Sequence, residues 1–232
     1  MRKHDEKTFY VGISQLCFSK KVWIVENIYM IKIMQLYYSS YNKKFISHTF
    51  FTDAIKNSSF PIFLYHVNNL NDKILYHSQV HGVKHILNVT FFSFLIACNE
   101  NMSANDMGIL LETALYHDIG RNDDMEDSDH GHRGAKKILM HISDNKMDMI
   151  IPAVIHAHSL LDEEAYQIFR QYNIEKSQYA RYSKILSIIK DADALDRFRL
   201  RPNSLKPEYF RIDFSKILIS LACVLSKVEW HE

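Results

Sequence analysis

Apolar positions recur at helical spacing over most of the chain after residue 80. The run 86–98 carries Val89, Phe92 and Ile96 in phase with His85, at i+4, i+7 and i+11, so that histidine heads a core-facing stripe. Ser103 with Asp106 three residues on has the form of a capping box with Asp in place of Glu. Behind it run Met107, Leu110, Leu111, Ala114 and Leu115 as one apolar stripe. The same periodicity predicts helices over 130–142, with Ala135, Ile138, Leu139 and Ile142 buried, and over 148–159, with Ile151, Val154, Ile155 and His158 buried. A further helix is predicted over 179–196, carrying Ile185, Leu186, Ile188, Ile189 and Ala192, and a closing amphipathic helix over 214–230. Upstream, 22–38 has helical spacing, while 48–56 and a segment from Pro61 to the asparagine-rich turn at 68–72 read as shorter helices. One short β-like stretch, 9–13, stands alone. With six glycines and four prolines the chain is poor in turn formers, and the expected class is all-α.

The same phase analysis sorts the polar residues. His117 lies at i+7 from Leu110 and Asp118 at i+7 from Leu111, so both project inward from a helix end that Gly120 terminates. An inward aspartate is costly unless it is paired or bound to metal. The dipeptide itself carries no information: 13 His and 16 Asp in 232 residues yield about one His-Asp pair by chance, and His4-Asp5 is such a pair. His158 sits on the apolar stripe of its helix, while His156 aligns with Met149, Pro152 and Ala153. Asp193 is in phase with Ile189 and Leu186, Asp196 is near the same face, and Asp191 follows Lys184 and Ser187 on the polar side. His77, His81 and His85 would share one face if their helix began that early. Residues 122–129 form a loop with five carboxylates, a solvated turn or a lid.

Five inward groups, His85, His117, Asp118, His158 and Asp193, thus converge from four predicted helices. Imidazole nitrogen and carboxylate oxygen suit Mn²⁺, Fe²⁺, Co²⁺, Ni²⁺ or Zn²⁺, and the absence of thiolates disfavours a structural zinc. Cys17, Cys98 and Cys223 are isolated among apolar neighbours, which fits reduced thiols and a cytoplasmic location. A formal net charge of +1 argues against a dedicated nucleic-acid surface. The charged N-terminus has no signal-peptide pattern, and the apolar run 86–98 is shorter than the ~20 residues a membrane span needs.

These residues resemble the HD-domain superfamily of metal-dependent phosphohydrolases. The likeness rests on His81-Gly82 and His85, on His117-Asp118-Ile119-Gly120-Arg121, on His130-Gly131, on Ala157-His158-Ser159, and on Lys190-Asp191-Ala192-Asp193-Ala194-Leu195-Asp196-Arg197. They follow in the order of a bacterial subgroup and span 77–212. Asn88 departs from the arginine the family often has before the valine, and the signatures of cyclic-di-GMP phosphodiesterases and alarmone hydrolases are missing.

The resemblance implies a helical bundle over 76–232 preceded by an accessory, mostly helical segment over 1–75. It implies one metal held by His85, His117, Asp118 and Asp193, and a second completed by His130 and His158 with Asp118 bridging. If only one metal binds, His130 and His158 contact phosphate and protonate the leaving oxygen, so Asp118, His130 and His158 are the expected catalytic residues. His81, Arg121 and Arg197 are the expected substrate contacts. The expected reaction is hydrolysis of a phosphorylated small molecule, a nucleotide foremost, and a homodimer is compatible with it. A di-iron oxygenase on the same fold and a non-catalytic binding module are the alternatives.

Overall fold

The computed structural model describes residues 56–141, 149–201 and 204–227. The helices expected over 22–38 and, but for Lys56, over 48–56 fall outside them, as does the β-like stretch 9–13. Among the described residues the secondary structure is helical throughout: α1 (Phe60–Asn68), α2 (Val83–Asn99), α3 (Ala104–Tyr116), α4 (His130–His141), α5 (Ile150–His158), α6 (Ala165–Gln171), α7 (Tyr179–Asp196), α8 (Asp213–Ile217) and α9 (Ile219–Ser226). The class is all-α. None of these helices is long and apolar enough to cross a membrane.

Helix α2 is the axis of the bundle. Every residue from His85 to Ala97 is buried, which is what a helix apolar on all sides requires. It packs against α3 and α7, and α5 closes the other side against α3, α4 and α7. Two hydroxyls inside this core bond back to their own helices, Thr90 to Ile86 O at 2.8 Å and Thr113 to Ile109 O at 2.8 Å, so neither is left unsatisfied. Ser103 caps α3 by accepting the Asp106 amide at 3.2 Å. Helix α1 joins the body through stacked Phe63 and Phe94, 4.8 Å between ring centres, and the Asn71 amide donates to Tyr116 Oη at 3.0 Å.

The structure departs from the periodicity in several places. Helix α2 begins at Val83, after Gly82, so His77 and His81 precede it rather than share its face. A side chain at Gly82 would bring its Cβ within 2.1 Å of Ser78 O, and it is this tight turn, not a helix, that carries His81. Leu139, expected inside, is 36 % exposed, and Ile151, likewise expected inside, is only half-buried. The closing helix is broken at Leu218 into α8 and α9. Finally, Asp191 is not on a polar face: it is fully buried and accepts from the Arg211 and Ile212 amides and from Ser215 Oγ. The segment 211–215 folds over that side of α7, which intrahelical spacing alone does not reveal.

Candidate metal centre

The centre is built from helix ends. Helix α3 stops at Tyr116, and the chain turns through Ile119 N to Tyr116 O at 3.1 Å and Arg121 N to Asp118 O at 3.0 Å. The turn lies so close to α4 that a Cβ at Gly120 would meet His130 O at 2.1 Å and Gly134 N at 2.2 Å. At Gly131 a Cβ would meet the carbonyls of Ile155 and His156, each at 2.7 Å. Gly120 and Gly131 therefore let α3, α4 and α5 approach near enough for His117, His130 and His158 to face one another.

Four imidazoles are oriented by the same device. His117 Nδ1 donates to Ala114 O at 2.8 Å, His158 Nδ1 to Ile155 O at 2.6 Å, and His130 Nδ1 to Asp127 O. His85 Nδ1 donates to the Asp196 carboxylate at 2.8 Å. A carbonyl or carboxylate can only accept, so each ring commits its Nδ1 proton outward and turns Nε2 inward. The inward nitrogens meet in pairs, His85 with His117 at 3.2 Å and His130 with His158 at 2.9 Å. Two lone pairs at that distance repel unless a proton or a metal ion lies between them.

Asp118 stands between the pairs. Its Oδ2 is 3.4 Å from His85 Nε2 and 3.9 Å from His117 Nε2, and its Oδ1 is 3.1 Å from His130 Nε2 and 3.6 Å from His158 Nε2. Asp193 closes the first set, 3.5 Å from His85 Nε2, with a side chain 29 % exposed that marks the open side. Two ligands about 2.1 Å from one ion and at roughly 90–110° lie about 3.0–3.4 Å apart; the separations here, from 2.9 to 3.9 Å, bracket that range. His85, His117 and Asp193 form one group that could hold a metal, and His117, Asp118 and His158 another.

Charge follows the geometry. Burial drives His117 down to about 3, so it is a neutral ligand at any ordinary pH. Burial and Arg199 also push His85 down, yet its contacts with Asp118 and Asp196 outweigh them and leave it raised. Burial opposes ionisation of Asp118, but the imidazoles around it, His117 first and then His130, His158 and His81, hold its carboxyl well below the carboxylate range. Asp193 is likewise held down against burial, by His85 and Arg199.

The expected substrate contacts separate. His81 is buried, with Nδ1 2.9 Å from Asp118 Oδ2, and it forms a third group with His85 and Asp118. Arg121 donates to Asp118 Oδ2 at 3.1 Å and to Met125 O at 3.0 Å, tying the acidic loop to the centre. Arg197, the residue after the end of α7, is exposed. Arg199, two residues on, lies within reach of Val80 O and His81.

Asp196 and Asn88, to which the sequence assigned no role in the site, support it from behind. Asp196 Oδ2 orients His85, and its Oδ1 accepts from Asn88 Nδ2 at 2.7 Å. The signal was present in the phase of Asp196, three residues after Asp193, and in a polar Asn88 inside an apolar run.

Comparison with curated proteins and with solved structures returned no match. Comparison with protein families matches residues 82–197 to the HD domain. That stretch is half of the chain and contains every side chain of the two ligand sets, from His85 to Asp193. The chain belongs to the HD domain family.

Proposed function

We propose that the chain is a metal-dependent phosphohydrolase acting on a nucleotide or another phosphorylated small molecule. The observation that carries this reading is the division of Asp118: one oxygen faces His85 and His117, with Asp193 beyond, and the other faces His130 and His158. A pair of divalent ions bridged by that carboxylate fits these donors, and the oxygen and imidazole set favours Mn²⁺, Fe²⁺, Co²⁺, Ni²⁺ or Zn²⁺. Ions bound there supply Lewis acidity toward a phosphoryl oxygen and toward water. The protein's own part is to fix the donors before substrate arrives. Asp196, Ala114 O, Ile155 O and Asp127 O hold the rings in one tautomer, and Asp193 leaves the centre open to solvent. In this reading Arg121, which donates to Asp118 and to Met125 O, meets a substrate phosphate at the edge of the acidic loop.

Free Cys98 and Cys223 favour work in a reducing compartment such as the cytoplasm. The test is a panel of phosphorylated metabolites, nucleotides included, assayed with each of the five metals. Turnover of at least one phosphoester with a matched metal is expected, with Asp118→Ala inactive. A panel silent with every metal overturns the reading.

A further inference from the structure

We propose, building on the phosphohydrolase reading above, that Arg199 is an anion-contact residue that binds a phosphoryl oxygen beside the metal centre. A guanidinium offers five N–H donors, accepts nothing and keeps its charge at any ordinary pH, so every acceptor around it can be counted. Nε is satisfied, donating to Val80 O at 2.7 Å. NH2 lies 3.3 Å from His81 Nδ1, but that nitrogen is also 2.9 Å from Asp118 Oδ2. A carboxylate takes the Nδ1 proton, and a ring nitrogen that donates has no lone pair left for Arg199. NH1 is 3.3 Å from Asp196 Oδ2, close enough for an ion pair, yet it is buried with no hydrogen-bond partner. Turning Asp196 toward it would loosen the contacts its two oxygens make with His85 at 2.8 Å and Asn88 at 2.7 Å.

The guanidinium therefore has two nitrogens with spare donors, in a side chain only 11 % exposed. Buried donors without acceptors are rare, and each calls for a missing partner. The missing partner is an anion. Arg199 lies against His81, which touches Asp118, and against Asp196, which orients His85, so its spare donors are next to the ligand sets. Its charge also bears on His85 and Asp193. With Asp118 and Asp193 neutralised by bound cations, the strongest acceptor to enter is a phosphate, whose adjacent oxygens match the fork of a guanidinium.

A purely structural arginine would tie the 78–82 turn to Asp196 and do nothing more. The two roles separate in an experiment on the full chain loaded with Mn²⁺. Calorimetry reads the affinity of inorganic phosphate, metal analysis reads ion content, and turnover of the wild type reads the phosphohydrolase reading by itself. Arg199→Gln is expected to keep its metal and weaken phosphate binding roughly tenfold to a hundredfold. Arg199→Lys, which keeps the charge and much of the volume, is expected to lose less, and Arg201→Gln, at an exposed neighbour, to lose nothing. Unchanged phosphate affinity in Arg199→Gln overturns the proposal, and so does loss of metal in that variant, which would make Arg199 a support for Asp196. If Arg199→Gln does not fold, wild-type phosphate affinity in Arg199→Lys overturns it, because a lysine cannot reproduce the fork.

Discussion

At the scale of single residues, the site is governed by where protons are held. His85, His117, His130 and His158 each spend Nδ1 on an oxygen acceptor, and that choice of tautomer aims Nε2 inward. Asp196 is the one charged acceptor of the four. Asp196→Asn should keep the shape but leave His85 free to flip, and metal affinity should fall about 10–100-fold. Titration of a chelator-stripped protein checks this, and unchanged affinity would contradict it. The protonation states give a pH dependence of definite sign. His117, lowered to about 3, loses no proton on metal binding at pH 5 or above, whereas His85, raised above 6.5, must lose one. Apparent metal affinity should therefore strengthen by about tenfold per pH unit up to the raised His85 value and then level off. Titrations between pH 5.5 and 8.5 would show this, and a flat profile would contradict it.

At the scale of elements, the phase of apolar residues located the helices well. The predicted span 179–196 coincides with α7, and His85, His117, Asp118 and His158 all lie buried as the stripes require. Periodicity failed where a partner element, rather than the helix itself, decides the environment. Asp191 reads as polar by spacing but is covered by 211–215, and Arg199 lies beyond the end of α7, where helical phase no longer applies. His81 is delivered by a turn whose only sequence mark is Gly82. Asp191 accepts two backbone amides and a hydroxyl in a fully buried position, so Asp191→Ala should cost about 3 kcal/mol or more. Denaturant unfolding measures that loss. The metal content of the folded fraction should not change, since Asp191 fastens the C-terminal helices and faces away from the ligands. Loss of metal without loss of stability would contradict this assignment.

At the scale of the whole molecule, an all-α bundle places the ends of α3, α4 and α5 and the sides of α2 and α7 around a single carboxylate. The family match over 82–197 contains the side chains of the two candidate ligand sets. Substrate choice is not legible in the same way, because it depends on walls built by loops such as 122–129 and not on a repeating pattern. The central claim is that Asp118 joins two metal sets, and metal counting tests it most directly. After loading with Mn²⁺ and removal of excess, the wild type should retain two ions per chain, His158→Ala one, and Asp118→Ala none. Two ions retained in Asp118→Ala, or none in the wild type, would contradict the account.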